Sequence, residues 1–500
     1  MKGLLQSILT FAGILRPELP SMDESSLPSL PSDHPASTQL SAWLEAFNIG
    51  DKEKLLTYHK SNFPYNIIGN DIRGIQGELE LARMTGGFRI ADIESTSAPS
   101  SVVVVLLGKN RRNYGRRYDR VSMEVDISKP NNPVMAFEIN AINTPLKLIR
   151  QGDPRRSTYE KAYRPLTSVL RQKVVHGLAK VIREQYIYPE LGRDIIGALE
   201  TYLKNGQYEA YSNSEDFAQR LTEDIQAAGH DKHMSIDFDE PPEDEGWNIF
   251  LSKQRKMKLL EELRGMNFGF GSISFDKVSV PGKTIATLPI DGFVPSDELE
   301  VRTAIGEIMS SIADADALLV DLRVNHGGDP DTIAFMESYI LTDAPVHLLD
   351  FVDRSGKVKD SFSTLPASKL PAGSKLFGAS KPLFVLTSNE TSFGGEDMAY
   401  NLQAFKRASA IVGEGNESTA GAAHTINTPQ YVCEKDFGKM WWFVAVPNLK
   451  PVHEITRTNW EGIGVKSDVI AGEGDWKGVA DAKEVATRLL MKSLKPGQEL

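Results

Sequence analysis

The chain has 500 residues, of which 41% are hydrophobic and 25% are charged, and its net charge at pH 7 is −11. This length allows roughly two to four domains, and the composition is that of an ordinary globular protein. The acidic balance argues against a general nucleic-acid-binding protein, which would present a basic face. A single cysteine, Cys433, excludes an intramolecular disulfide, and no cysteine–histidine cluster indicates zinc. We predict neither a metal nor a cofactor.

Residues 1–36 are predicted to form an N-terminal arm and a linker. The apolar run from Leu4 to Leu15 is faintly similar to a signal peptide, but Gln6 and Ser7 interrupt it and no small-x-small cleavage site follows. The run is too short to span a bilayer. We therefore interpret it as an amphipathic arm and expect a cytoplasmic protein, with secretion as the alternative.

Residues 37–146 are predicted to form an α+β domain. Apolar residues recur at helical spacing near its start and predict a first helix: Leu40, Trp43, Leu44, Phe47 and Ile49. A second helix is predicted over 73–85, and strands are predicted over 101–107, 121–125 and 134–139. This order of a helix pair and a curved antiparallel sheet resembles the cone-shaped SnoaL-like fold. A polar linker over 147–164 follows.

Residues 165–250 are predicted to form a helical cap domain. Three amphipathic stripes indicate three helices, the first marked by Val174, Leu178, Val181 and Ile182, the second by Ile195, Ile196, Leu199 and Leu203, and the third by Phe217, Leu221 and Ile225. The acidic loop from Asp239 to Glu245 leaves this bundle.

Residues 265–490 alternate between strand and helix patterns, which predicts an α/β domain with a mixed, mostly parallel sheet. The predicted strands cover 284–290, 317–322, 382–386 and 410–412. The predicted helices cover 298–312, 331–340 and 396–405.

The segment 386–397 is the most informative part of this domain, because a buried strand runs through a glycine-containing turn into a helix. Free backbone N–H groups at a helix N-terminus favour negative charge. Serine hydrolases use such a turn to present a nucleophile beside an oxyanion hole. Here the residue before the glycines is Phe393, and the only hydroxyl beside it belongs to Ser392.

Six short segments, taken in order, resemble one family: YIYPE at 186–190, GHDKH at 229–233, NFGF at 267–270, DLRVNHGGDP at 321–330, the turn and helix at 386–403, and WEGIGV at 460–465. The family is the tail-specific (C-terminal processing) serine peptidase clan, and the branch is the one with tricorn-like peptidases and the interphotoreceptor retinoid-binding protein. The resemblance covers about 165–490. It implies a helical cap on a mixed α/β sheet domain.

The resemblance also implies roles for three residues. His233 lies where the tricorn-like members place their histidine base, and Glu461 lies at an acidic position that would orient a base. Each also fits a structural role, His233 as a satisfied histidine and Glu461 as an exposed turn residue. His424 follows the Gly/Ala-rich loop 420–423, near the place of the lysine base in the processing peptidases, and we predict that it contacts substrate. That loop has no lysine, which disfavours a Ser–Lys dyad.

A second group of residues ends a predicted parallel strand, the side of such sheets that usually carries sites. We predict that Arg323, Asn325, Gly327 and Gly328 contact substrate there, together with Gly394. The two neighbouring glycines allow close backbone approach, and their N–H groups would supply half of an oxyanion hole. The alternative is a tight turn in which Arg323 belongs to a structural ion pair.

The departure from the family lies at the nucleophile, because Phe393 stands where the resemblance implies a serine. Ser392 is one residue earlier, and such a shift turns a side chain by ~100° or more. Phe393 is either a core aromatic or an apolar wall in a former active-site cleft. Three functions follow: a binder or enzyme for an apolar small molecule that works by acid–base chemistry, a serine hydrolase that uses Ser392 with His233, and an inactive interaction protein.

Overall fold

The computed structural model of the chain describes residues 28–63, 75–109, 118–239, 260–421, 423, 430–432 and 441–493, apart from 143, 154–155, 158–159, 161–162, 232, 262, 343, 416 and 480. Among these residues, no helix is long and apolar enough to cross a membrane.

The N-terminal α+β region packs three helices on a four-stranded antiparallel sheet. The helices are α1 (Pro35–Ile49), α2 (Lys52–Asn62) and α3 (Gln76–Thr85), and the strands β1 (Phe88–Ala98), β2 (Ser101–Gly108), β3 (Tyr118–Val125) and β4 (Val134–Ile142) pair in chain order. Helix α1 begins where the His34 side chain accepts the Ser37 N–H, and it ends at Gly50, whose φ is 65°. Trp43 and Phe47 bury its apolar face against the sheet.

The helical region that follows has its own apolar core. Helices α4 (Ser168–Gln185), α5 (Pro189–Lys204) and α6 (Ser214–Gly229) pack against an antiparallel sheet of order β13–β14–β5, with β5 at Ser235–Asp239, β13 at Gln430–Val432 and β14 at Trp441–Ala445. Residues from late in the chain therefore complete the core of this region.

The largest sheet has six strands in the order β16–β12–β11–β8–β7–β6, and every neighbouring pair is parallel except β6 and β7. The strands are β6 (Ser274–Asp276), β7 (Ile285–Pro289), β8 (Ala317–Asp321), β11 (Leu383–Thr387), β12 (Ala410–Glu414) and β16 (Val469–Ala471), and the helices are α7 (Leu299–Ser311), α8 (Pro330–Glu337), α9 (Gly394–Ala404) and α10 (Ala482–Ser493). Apolar clusters cover both faces of the sheet, as a parallel sheet requires.

A small antiparallel sheet of order β10–β9–β15 completes the fold, with β9 at His347–Asp353, β10 at Val358–Ser363 and β15 at Leu449–His453. The carboxyl ends of β8 and β11 lie side by side in the large sheet. The turns that follow these two strands therefore meet at one edge.

The mixed, mostly parallel α/β architecture predicted from the sequence is confirmed, as is the α+β character of the region before it. Three elements depart from the sequence prediction. Helix α2 and strand β1 had no predicted counterpart, and the sheet of β9, β10 and β15 was not foreseen. Ile49, placed in the apolar stripe of α1, is 49% exposed because the helix ends there. The domain limits and the SnoaL-like resemblance stay predictions.

Candidate active site

The turn between β11 and α9 holds Phe393 in an uncommon backbone conformation. Its φ is 50° and its ψ is −114°, a combination that costs a bulky residue of order 1–3 kcal/mol and persists only where the surroundings fix it. Phe393 is 44% exposed, whereas the five residues of β11 before the turn are buried. A buried strand, a strained residue and a helix thus follow one another, which is the arrangement that presents a nucleophile in serine hydrolases.

Hydrogen bonds to Glu396 and Asn325 hold this turn in place. The Phe393 N–H donates to Glu396 Oε2 at 3.0 Å, and the Ser392 N–H donates to the Asn325 carbonyl at 2.9 Å. Glu396 is fully buried, and its Oε1 also accepts the Thr419 hydroxyl at 2.5 Å and the Gly421 N–H at 2.6 Å. Hydrogen bonds from neighbouring groups therefore hold the backbone at 393.

His233 lies directly against the Phe393 ring, with the ring centroids 5.4 Å apart and the planes at 79°. Its Nδ1 is 2.7 Å from Asp231 Oδ1 and 3.8 Å from Glu461 Oε1. Nδ1 is thus engaged by a carboxylate, and Nε2 has no solvent-accessible surface. The structure thus brings His233, Glu461 and Phe393 together, although they are far apart in the sequence.

The carboxylates of Asp231 and Glu461, both near Nδ1, stabilise the charged imidazolium of His233. Burial lowers the pKa of His233, but the hydrogen bond to Asp231 and the charges of Glu461, Asp231 and Glu396 outweigh it and raise this pKa above its ordinary value. Burial likewise raises the pKa of Asp231, but the hydrogen bonds from His233 and from the Tyr186 hydroxyl lower it on balance. His233 therefore accepts a proton readily, and Asp231 stays ionised to hold it.

The glycine turn after β8 brings backbone N–H groups close to Phe393. Gly327 has a φ of 100°, and a Cβ there would lie 2.6 Å from the Phe393 Cβ. Its N–H donates to Asn325 Oδ1 at 2.8 Å, so it is not available to a ligand. The Gly328 nitrogen lies 3.0 Å from the point that a Cβ on Gly394 would occupy. Within the described part of the chain, no hydrogen bond uses the N–H of Gly328 or of Gly394. These two N–H groups form the candidate oxyanion site.

Family comparisons agree with this geometry. Residues 167–262 match the family described as the N-terminal domain of peptidase S41 in eukaryotic IRBP, and residues 284–470 match peptidase family S41. The chain belongs to the S41 peptidase family.

Solved S41-type structures are similar only at a distance. A photosystem II D1 C-terminal processing protease is 15% identical, with 65% of this chain and 98% of that chain covered and a TM-score of 0.38. A putative peptidase from Parabacteroides merdae is 13% identical, with 65% and 98% covered and a TM-score of 0.42. The tricorn protease is 11% identical, with 81% and 41% covered and a TM-score of 0.39. The family assignment depends on the two family matches.

Within this S41 site, two predicted residues prove to be supporting ones. Arg323 is held by Asp321 and Glu414, so its guanidinium serves a structural ion pair. Asn325 is fully buried, and its side chain donates to the Ile290 carbonyl at 2.9 Å and accepts the Gly327 N–H. Both residues fix the turn after β8, and we no longer assign them to substrate contact.

The other predicted site residues differ in how closely they approach His233. Glu461 accepts the Ala423 N–H at 2.7 Å, and it lies farther from the imidazole than Asp231 does. Ser392 makes no hydrogen bond to His233 among the described residues. His424 lies outside the described residues.

Asp231, Glu396 and Tyr186 lie inside the family-like segments 229–233, 386–403 and 186–190, and no role was predicted for them. Asp231 is the primary partner of His233, Glu396 anchors the turn, and the Tyr186 hydroxyl donates to Asp231 Oδ2 at 2.9 Å. The available signal was an acid two residues before the histidine, in the DKH part of 231–233. A carboxylate so close in sequence reaches the same imidazole in the local conformation found here, in which Asp231 Oδ1 also accepts the His233 N–H at 2.9 Å.

Proposed function

We propose that this S41 protein is not a peptidase, and that its site binds an apolar small molecule and acts on it by acid–base chemistry. The supporting observation is the side chain at the strained turn, where Phe393 packs its ring against His233. A phenyl ring has no atom that can attack a carbonyl carbon. Loss of the nucleophile alone removes a factor of roughly 10⁶ in turnover from a triad enzyme.

Proton transfer does not need that nucleophile. His233 keeps a carboxylate partner and a raised pKa, and a positioned base contributes about 10²–10⁴-fold. The half-exposed Phe393 ring beside it offers apolar surface to a ligand, as in most small-molecule sites, where apolar walls surround a few polar groups. Acid–base reactions such as isomerisation, elimination or cyclisation therefore suit the site better than peptide hydrolysis does.

Labelling with a fluorophosphonate tests the absence of a serine nucleophile. We expect no labelling of the wild type, and we expect labelling of Phe393→Ser that disappears in the double variant with His233→Gln. Labelling of the wild type that is lost in Ser392→Ala would contradict the proposal, because it would identify a serine hydrolase.

Binding of the neutral apolar fluorophore N-phenyl-1-naphthylamine tests the ligand site. We expect saturable binding that raises the melting temperature of the wild type, and we expect at least a tenfold weaker affinity in Phe393→Asp. Equal binding by both proteins would place the apolar site elsewhere. No binding by either protein would favour an interaction protein without a ligand.

A further inference from the structure

The sign of the charge around Phe393 narrows the chemistry of the ligand, on the premise of the proposed function. The Phe393 ring is 44% exposed, and its centroid lies 5.4 Å from that of the His233 ring. Two carboxylates lie on the same imidazole, with Asp231 Oδ1 2.7 Å and Glu461 Oε1 3.8 Å from His233 Nδ1. An exposed aromatic ring and two carboxylates are therefore neighbours of one imidazole.

A third carboxylate bonds to the backbone of Phe393. Glu396 Oε2 accepts the Phe393 N–H at 3.0 Å, and the Glu396 side chain is fully buried. Glu396 also acts on His233, because its charge is one of those that raise the pKa of this histidine against the effect of burial. A protonated imidazole supplies one positive charge against these three carboxylates, so the group keeps a net negative charge.

The cations described nearby do not cancel this charge. Lys450 Nζ lies 5.8 Å from the centre of the Tyr188 ring. The pKa of Tyr188 is raised by burial and then by the charges of Glu461 and Asp231. Even with Lys450 counted, three carboxylates face two cations. Arg323 adds no positive charge to the balance, because its own carboxylate partners hold it in an ion pair.

The backbone N–H groups of Gly328 and Gly394 are the opposing feature, because such groups attract negative oxygens. The potential of a dipole falls faster with distance than that of a full charge, which falls only in inverse proportion to distance. Beyond direct contact with these two N–H groups, the carboxylates therefore determine the sign of the potential at the Phe393 ring. A ligand group in the exposed space over this ring lies in a negative potential.

The ring itself adds to this preference, because the face of a phenyl ring attracts cations, among them quaternary ammonium groups. Of the three carboxylates, Glu461 is the most accessible, since its side chain is 21% exposed, whereas that of Asp231 is 7% exposed and Glu396 is fully buried. We propose that the ligand is an apolar molecule with one positively charged group, an amine or a quaternary ammonium, and that this group lies against the exposed Phe393 ring and beside Glu461.

Three phenyl compounds of similar shape test the sign of the charge: phenyltrimethylammonium, tert-butylbenzene and benzenesulfonate, each competing with N-phenyl-1-naphthylamine at low salt. Each has a phenyl ring on a tetrahedral group with three substituents, and neither charged group titrates near neutral pH. Comparison of the two ions removes most of the hydration cost that any ion pays on binding. We expect the cation to compete at least about tenfold better than the anion. The difference should shrink in about 0.5 M NaCl, which screens exposed charges.

Equal competition by the two ions would overturn the assignment of a cation. Stronger competition by benzenesulfonate would also overturn it, and would assign the charged end of the ligand to the N–H groups of Gly328 and Gly394. Binding of tert-butylbenzene in either case would leave the proposed apolar site intact. If neither tert-butylbenzene nor the fluorophore bound, the proposed function would fail, and the assignment of a cation would fail with it.

The Glu461→Gln variant tests the carboxylate, because the amide keeps an oxygen for the Ala423 N–H and loses the charge. We expect its affinity for phenyltrimethylammonium to fall at least about threefold, and its affinity for tert-butylbenzene to change by less than about twofold. Glu94→Gln is the matched control, because the Glu94 side chain is 24% exposed and pairs with Arg120 in the N-terminal sheet. An equal loss in Glu94→Gln would contradict the proposal, since the net charge of the protein would then attract the cation.

The Phe393→Leu variant tests the ring, because leucine keeps an apolar side chain at this position and has no π face. Direct titration gives the affinities for phenyltrimethylammonium and for tert-butylbenzene. We expect the ratio of the first affinity to the second to fall at least about threefold in this variant. An unchanged ratio would overturn the placement of the cation against the Phe393 ring.

Discussion

A buried histidine pairs with a carboxylate both in the N-terminal α+β region and in the S41 site. His59 is fully buried, with Nε2 3.1 Å from Glu78 Oε1, and its ring stacks on Phe63 with the centroids 4.4 Å apart. The His233 side chain is only 9% exposed, and its Nδ1 is 2.7 Å from Asp231.

Burial and carboxylate pairing therefore do not distinguish a structural histidine from a functional one. The difference lies on the other side of the ring. His59 faces Phe63, which has no exposed surface, whereas His233 faces Phe393, which is 44% exposed. Neither imidazole exposes its Nε2 to solvent, so the two sites differ in the exposure of the neighbouring ring and not in that of the histidine.

The largest effect on stability should come from removing Glu78, the carboxylate that pairs with the buried His59. Glu78 lies against His59 and accepts the Trp43 Nε1–H at 2.8 Å. Glu78→Ala leaves two buried groups unpaired, so we expect a loss of roughly 3–5 kcal/mol in the free energy of unfolding. Glu461→Ala, at a carboxylate that is 21% exposed, should cost about 1 kcal/mol or less. Urea unfolding measures both, and equal losses would show that the two regions are held in the same way.

A second prediction concerns the pH dependence of stability, which buried acids behind the turn should control. Burial raises the pKa of Asp397, behind the turn on α9, to about 7, and burial followed by the charge of Asp397 raises the pKa of Glu337. The folded state holds these protons while the unfolded state releases them above pH ~4. Stability should therefore fall as pH rises from about 4 to about 7, by on the order of 2–4 kcal/mol, and then level off.

The Asp397→Asn variant should flatten this dependence, because an amide does not titrate. The measurement is the free energy of unfolding at pH 5 and at pH 8. If the Asp397→Asn variant keeps the same pH dependence as the wild type, these buried acids do not control it.

A third, smaller effect concerns the proton on His233. Asp231→Asn removes the carboxylate that raises the pKa of this histidine against the effect of burial. We expect the pKa of His233 to fall, which NMR can follow through the imidazole Cε1–H signal. The raised pKa stabilises the fold below pH ~6.5, and this contribution is lost as pH rises through the folded pKa. An unchanged His233 titration would make Glu461 the primary partner.

The smallest effect distinguishes a tyrosine hydroxyl at the candidate active site from one in the core of the helical region. Tyr186 and Tyr208 each donate a buried hydroxyl to a carboxylate at 2.9 Å, Tyr186 to Asp231 and Tyr208 to Asp224. Each change to Phe should cost about 1 kcal/mol of stability. Only Tyr186→Phe should also alter the His233 titration, because Asp231 contacts that imidazole and Asp224 instead pairs with Arg220. A change in this titration with Tyr208→Phe would contradict this assignment.

The sequence predicted the fold best where its patterns are local and repeated. The alternation of apolar strands with amphipathic helices located most of the large sheet, and the glycine turn placed Phe393 before α9. The site was predicted only in part, because its contacts depend on directions that a sequence does not contain. The Gly327 N–H points to Asn325 Oδ1 and not to a ligand, and Arg323 points to Asp321 and Glu414. Asp231 was missed because a carboxylate two residues from a histidine reaches it only in a particular local conformation, here the one in which the His233 N–H donates to Asp231 Oδ1.

The anchoring of the turn by Glu396, Asn325 and the glycines has an evolutionary consequence. These groups bond to the backbone of the turn and not to the side chain at position 393. Phenylalanine and serine codons differ by a single nucleotide when TTC becomes TCC. Forms of this scaffold with phenylalanine and with serine at position 393 are therefore mutational neighbours, and the exchange leaves Glu396 and Asn325 in place.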